Sequence, residues 1–189
     1  MKNAIILHGR PSKNEYYNPD KPSMSNSHWI PWLQGQLLKN DIKAETPEVP
    51  YSFEPIWDRW VKEVERFEIG PDTILVGHSC GGGFWIRYLS EHPEIKVGKV
   101  VLVAPWIDVE QEDQNQFFDF TIDPNLTSRT EKLIVFHSDN DGNEMQTSLK
   151  KLQSEIKDLE VRIFNNYGHF GYNITGPEFP ELLEEIITN

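Results

Sequence analysis

The chain has a single cysteine, Cys80, among 189 residues. No disulfide can form within it, and so thiol-poor a composition predicts a reducing, cytosolic setting. Positive charge is also scarce: 18 Lys and Arg stand against 30 Asp and Glu, a net charge of -12 at pH 7. No cluster of basic residues interrupts that field, which repels polyanions and argues against nucleic acid as a partner. Long hydrophobic runs are missing. The amino terminus offers only Ala4 to Leu7 before His8, too short for the core of a signal peptide and far too short to span a bilayer, so no membrane association is expected. There is no H-E-x-x-H, no cysteine cluster, no phosphate loop and no G-x-G-x-x-G, and His28, His92 and His137 lack ligand spacing. Neither a metal nor a cofactor is therefore expected.

What remains is an ordinary globular composition, 38% hydrophobic and 12% aromatic, with 12 Gly and 13 Pro. That excludes disorder and fibrous repeats, and the length suits one domain over residues 1–189. Short apolar runs at 3–7, 44–49, 73–76, 99–103, 132–136 and 160–164 alternate with helically periodic segments at about 26–39, 56–67, 82–91, 143–156 and 178–187. Runs such as Val100-Val101-Leu102-Val103 show no polar alternation, as expected of strands buried on both faces. The pattern predicts an α/β three-layer sandwich around a mostly parallel sheet of about six strands. Right-handed crossovers then bring every loop at the carboxyl ends of the strands to one edge, where chemistry sits in such folds. The segment 106–130, rich in Asp, Glu, Gln and Phe and without a clear period, is expected to be disordered or to form a lid over the site.

After the third strand comes Gly77-His78-Ser79-Cys80-Gly81, the G-x-S-x-G pattern of a nucleophile elbow at a strand-to-helix turn. The turn projects the serine hydroxyl above the sheet, and glycines stand where a β-carbon would strike a neighbouring strand or helix. Gly81-Gly82-Gly83 then opens a helix in which each glycine costs roughly 1 kcal/mol against alanine, a cost that close approach to the sheet would offset.

A serine hydroxyl needs a base, and the base needs an orienting carboxylate, in the chain order Ser, Asp or Glu, His. His137-Ser138-Asp139-Asn140-Asp141-Gly142 follows the fifth strand and Asn165-Asn166-Tyr167-Gly168-His169-Phe170 the sixth. Asp141 is the candidate acid and His169 the candidate base. Asp139 competes with Asp141; its alternative role is a hydrogen bond within its own turn. Taken singly, Asp141 reads as a turn or helix cap and His169 as a loop histidine. Three required residue types in the required order, each just past a separate strand, outweigh those readings. For the oxyanion hole, the N–H of Cys80 is one candidate donor and the N–H of Arg10 or Gly9, in the loop after the first strand, the other. Trp29 and Trp32 are expected to pack a helix.

These motifs resemble those of the small α/β-hydrolase family of serine hydrolases that includes retinoblastoma-binding protein nine and the bacterial YdeN-like proteins. The resemblance covers nearly the whole chain. It rests on the Trp29 to Leu37 helix with its Trp29-x-x-Trp32 pair, Ile74-Leu75-Val76-Gly77-His78-Ser79-x-Gly81, the Ser138-x-x-Asp141 turn and Gly168-His169-Phe170. It implies an α/β-hydrolase-like fold with little cap and a Ser79, Asp141, His169 triad, and it favours Asp141 over Asp139. The human relative has a proline-hydrophobic pair after its acid where this chain has Gly142-Asn143. The L-x-C-x-E retinoblastoma-binding motif cannot occur, because His78 stands two residues before the lone cysteine.

The expectation is a metal-independent cytosolic serine hydrolase acting on an ester, thioester or amide of a small-molecule acyl substrate. The rival is a binding or regulatory protein that keeps the fold without turnover. The acids of the 106–130 segment, Asp108, Glu110, Glu112, Asp113 and Asp119, further predict that anionic acyl groups are disfavoured.

Overall fold

The computed structural model of the chain describes residues 2–111 and 114–188. Six strands, β1 (Asn3–Leu7), β2 (Lys43–Glu45), β3 (Thr73–His78), β4 (Val97–Val103), β5 (Thr130–Ser138) and β6 (Glu160–Phe164), form one sheet in the order β2-β1-β3-β4-β5-β6. Every neighbouring pair is parallel. Among the described residues seven α-helices lie between and after the strands: α1 (Lys13–Tyr16), α2 (Ile30–Lys39), α3 (Trp57–Val64), α4 (Cys80–Glu91), α5 (Asn143–Glu155), α6 (Tyr172–Thr175) and α7 (Pro180–Ile187).

Alternate side chains of each central strand feed opposite layers. Ile5, Leu7, Leu75, Val100, Leu102, Leu133 and Val135 pack with α3, α4 and α5, through residues such as Trp60, Phe84 and Leu152. Ala4, Ile6, Ile74, Val76, Val101, Val103, Ile134 and Phe136 pack with α2 and α7, through Leu33, Leu37 and Leu182. This is the three-layer sandwich that the unalternating strand sequences predict.

Several bounds differ from the sequence expectation. The second strand stops at Glu45 rather than at 49, since Pro47 cannot donate to a ladder. The helix expected from 26 starts at Ile30, with Pro31 in its first turn and a separate 3-10 turn at Met24–Asn26 before it. β3 runs on through Gly77 and His78, which register against Leu102 and Val103, so the strand delivers Ser79 directly to the helix beyond. The short helices α1 and α6 carry no buried residue and hence no periodic signal.

Of the 106–130 segment, Glu112 and Asp113 lie outside the described residues. The rest is ordered against the core: Ile107, Phe117, Ile122 and Leu126 are buried in the α3/α4/α5 layer. Phe117 meets Trp57, Trp60 and Phe84 with ring centroids 5.8, 5.4 and 6.4 Å apart. Arg87 on α4 donates to the carbonyls of Gln116 and Phe117 at 2.9 and 2.6 Å. The aromatic content that obscures its period is what packs it down, and the expectation of disorder is corrected for the described part.

Candidate active site

Ser79 joins β3 to α4 with φ 53° and ψ -119°, a left-handed conformation that costs a non-glycine residue about 1 to 3 kcal/mol and persists only when its surroundings impose it. Here the Ser79 N–H donates to Val103 O at 2.9 Å, and Ser79 O accepts from Gly82, Gly83 and Trp106 N–H at 2.9, 3.1 and 3.1 Å. The flanking glycines are sterically required. A β-carbon on Gly77 would sit 2.5 Å from Gly81 O, and one on Gly81 would sit 2.5 Å from His8 O. Close approach of α4 to β1 thus accounts for glycine at the start of a helix.

The loops after β5 and β6 bring Asp141 and His169 together. His169 Nδ1 lies 3.0 Å from Asp141 Oδ2 and 3.2 Å from Oδ1; the carboxylate side chain is 4% exposed and the imidazole 41%. A carboxylate only accepts, so Nδ1 carries the proton and Nε2 keeps its lone pair, the tautomer a general base requires. Ser79 and His169 line the same two cavities. Among the described residues no direct Ser79–His169 hydrogen bond is formed, and such bonds commonly tighten only around substrate.

The two loops are laced by side chains that sequence reasoning did not assign. Three consecutive N–H groups just before the histidine, those of Asn166, Tyr167 and Gly168, donate to Asp139 Oδ1, Ser138 Oγ and Asn140 Oδ1 at 2.8, 2.9 and 2.8 Å. Ser138 Oγ in turn donates to Asn140 Oδ1 at 2.8 Å. Asp139 therefore binds the loop that carries His169 rather than its own turn, which corrects its expected alternative role. Asp141 meanwhile accepts the Gly142 N–H at 2.7 Å. On the other side of the histidine, Trp29 Nε1 donates to Phe170 O at 3.2 Å, a task beyond the helix packing expected of it. His78 Nε2 donates to His169 O at 2.9 Å. The cluster of short polar residues in Ser138-Asp139-Asn140 is the only sequence signal for this lacing, and it does not name the partners.

The loop after β1 abuts Ser79: a β-carbon on Gly9 would lie 3.0 Å from Ser79 Cβ. His8, wholly buried, organises this loop. Val49 N–H donates to His8 Nε2 at 3.1 Å, so the opposite nitrogen, Nδ1, donates to Gly9 O at 2.7 Å. Cys80 opens α4 with its side chain buried. Two cavities flank Ser79 and His169. One, of about 620 Å³, is lined by Arg10, Trp106, Asn143, Glu144 and Met145; the other, of about 530 Å³, by Arg10, Glu15, Lys21, Met24, His28 and Tyr172 among others.

Burial holds the His8, His28 and His78 rings below their ordinary value of 6.5, His78 well below it, and for His28 and His78 the neighbouring His169 charge adds to the effect. The same shifts set a pH dependence of stability. Below about pH 6.5 the unfolded chain takes up protons at these rings while the folded protein resists them, so stability present above that pH is lost as the pH falls. His8 and His78, both wholly buried, contribute to this loss together with His28. Thermal midpoints should therefore fall as the pH is lowered from 7.5 to 5.5; a flat profile would contradict this account.

Among the described residues no group of three or more His, Cys, Asp or Glu side chains is placed to hold a metal ion, and no helix is long and apolar enough to cross a membrane.

A family model described as serine hydrolase matches residues 21–185. Among curated proteins, the chain is 30% identical over 84 residues to the hydrolase YdeN of Bacillus subtilis, an alignment spanning 42% of this chain and only 44% of that protein. The fold matches the crystal structure of the B. subtilis ydeN gene product with a TM-score of 0.81 at 21% identity, covering 98% of this chain and 97% of that one. A YdeN-like hydrolase from Pectobacterium atrosepticum matches with a TM-score of 0.65 at 18% identity, covering 98% and 89%. A pyrethroid hydrolase from Sphingobium faniae matches with 0.62 at 13% identity, covering 98% and 95%.

Proposed function

The chain belongs to the serine hydrolase family, and from that premise we propose that it cleaves an ester, thioester or amide of a small acyl group through a Ser79 acyl-enzyme. Ser79 Oγ attacks the carbonyl carbon while His169 Nε2 takes the hydroxyl proton. Asp141, against Nδ1, holds the ring and offsets the charge it gains. The tetrahedral oxyanion is met by the N–H of Cys80 at the start of α4 and by an N–H of the Gly9-Arg10 loop. Between the two loop amides, orientation favours Arg10. A trans peptide points its C=O and N–H to opposite sides, so drawing the Gly9 carbonyl to His8 turns the Arg10 N–H away from His8. As the tetrahedral intermediate collapses, His169 returns its proton to the leaving group, which departs. Water then attacks the acyl-enzyme with His169 again as base, and Ser79 is restored. Every proton and charge in this sequence is handled by the chain's own groups, without a metal or cofactor.

The observation that carries this reading is the 3.0 Å contact of His169 Nδ1 with Asp141, beside a serine held at φ 53°. A fluorophosphonate tests it, since only an activated hydroxyl next to an oxyanion site reacts quickly with such a probe. Covalent addition is expected at Ser79 and nowhere in Ser79→Ala. Labelling that survives the substitution overturns the assignment, and an unlabelled wild-type protein favours a binding protein that keeps the fold without turnover.

A further inference from the structure

Of the six arginines, Arg10 and Arg162 lie over aromatic rings without forming an ion pair or hydrogen bond among the described residues, and only Arg10 lines the cleft at Ser79. Arg66, Arg87 and Arg129 each hold a carboxylate, with N–O distances of 2.6, 2.9 and 2.7 Å, and Arg59 donates to the carbonyls of Tyr51 and Glu54. Among the described residues Arg10 forms no ion pair or hydrogen bond, although the chain has 30 acidic residues. Instead its guanidinium lies over the Trp106 ring, 5.2 Å from the centroid. Stacking of this kind orients the planar fork while leaving its N–H donors unused. The side chain lines both cavities that meet at Ser79 and His169.

The acids around it are largely engaged elsewhere. Asp141 faces His169. Glu15 accepts from Ser12 N–H and Oγ in the capping box of α1. Glu144 sits in the first turn of α5, where a helix end stabilises negative charge. Asp20 lines only the cavity that Lys21 also lines. Of the 106–130 acids, none of the described ones lines either cavity.

We propose that Arg10 is the recognition group for a carboxylate on the substrate, carried within reach of the scissile carbonyl on its acyl or its leaving side. This inference rests on the serine hydrolase reading and names the substrate class for that site. It opposes the expectation drawn from the acidic segment. Surface charges beyond a Debye length of about 8 Å are largely screened at physiological salt, whereas a bidentate guanidinium–carboxylate contact acts at hydrogen-bond distance.

Two pairs of esters test it: 4-nitrophenyl hydrogen succinate against its methyl diester, with the carboxylate on the acyl side, and 3-carboxyphenyl acetate against its methyl ester, with the carboxylate on the leaving side. At low salt, kcat/KM for the acid of one pair should exceed that of its neutral partner by about ten- to a hundred-fold, the worth of a charge-assisted contact. The preference should collapse toward unity in Arg10→Gln and shrink as salt rises. A preference for the neutral partner in both pairs, or a carboxylate preference that survives in Arg10→Gln, overturns the proposal. If Ser79 takes up the fluorophosphonate but neither acid is favoured or turned over, the carboxylate site falls alone; if Ser79 is not labelled, the hydrolase reading falls and the site with it.

Discussion

Ser79→Ala and His169→Ala should each lower kcat by about 10⁴- to 10⁶-fold, and the double variant should be little worse than either. In the proposed mechanism Ser79 and His169 act as one unit. Without the imidazole the hydroxyl keeps its proton, and without the hydroxyl the imidazole has nothing to activate, so the second loss finds little left to remove. What survives would be catalysis by the oxyanion donors and by binding alone. The three turnover numbers, measured on one activated ester together with the thermal midpoints, check this. Two losses that multiply would show that Ser79 and His169 work independently, contrary to the shared cleft that both line.

The second expected effect separates the two aspartates. Asp141 lies 3.0 Å from the imidazole N–H, and an asparagine there would let the ring fall into the tautomer whose Nε2 carries the proton. Asp141→Asn should therefore lower kcat by roughly 10⁴-fold with little change in folding. Asp139 accepts from the Asn166 N–H at 2.8 Å, three residues ahead of the base. An asparagine can still accept there, though without its charge, so Asp139→Asn should cost about 0.5 to 1.5 kcal/mol of stability and keep most activity. Ester turnover and thermal midpoint for both variants, side by side, decide the matter. If Asp139→Asn is inactive and Asp141→Asn active, the acid has been placed one turn too late in the chain.

Much of this site was legible because its chemistry is written in local sequence. The strained turn at Ser79 requires small residues at fixed offsets, and Gly77 and Gly81 occupy them. The acid and base each follow an apolar run, and a parallel sheet sends the ends of all such runs to one edge. The lacing of the loops was not legible. Ser138, Asp139 and Asn140 have short polar side chains that suit any turn, and only the adjacency of β5 and β6 sets them against the N–H groups of Asn166, Tyr167 and Gly168. The roles of His8 and His78 were not legible either; hydrogen bonds with Val49 and His169, distant in sequence, give each its tautomer.

The sequence by itself determined the parallel α/β architecture, the elbow at Ser79 and the order of acid and base, because strand burial and turn sterics act over a few neighbouring residues. Tertiary structure alone decided the rest: that Asp139 accepts from the Asn166 N–H of the neighbouring loop, that the 106–130 aromatics pack onto α3 and α4, and that Arg10 lies over Trp106. These depend on where a side chain ends after the chain has crossed the sheet. Hydrogen bonds and charge contacts act over a few ångströms in space, whatever the separation in sequence.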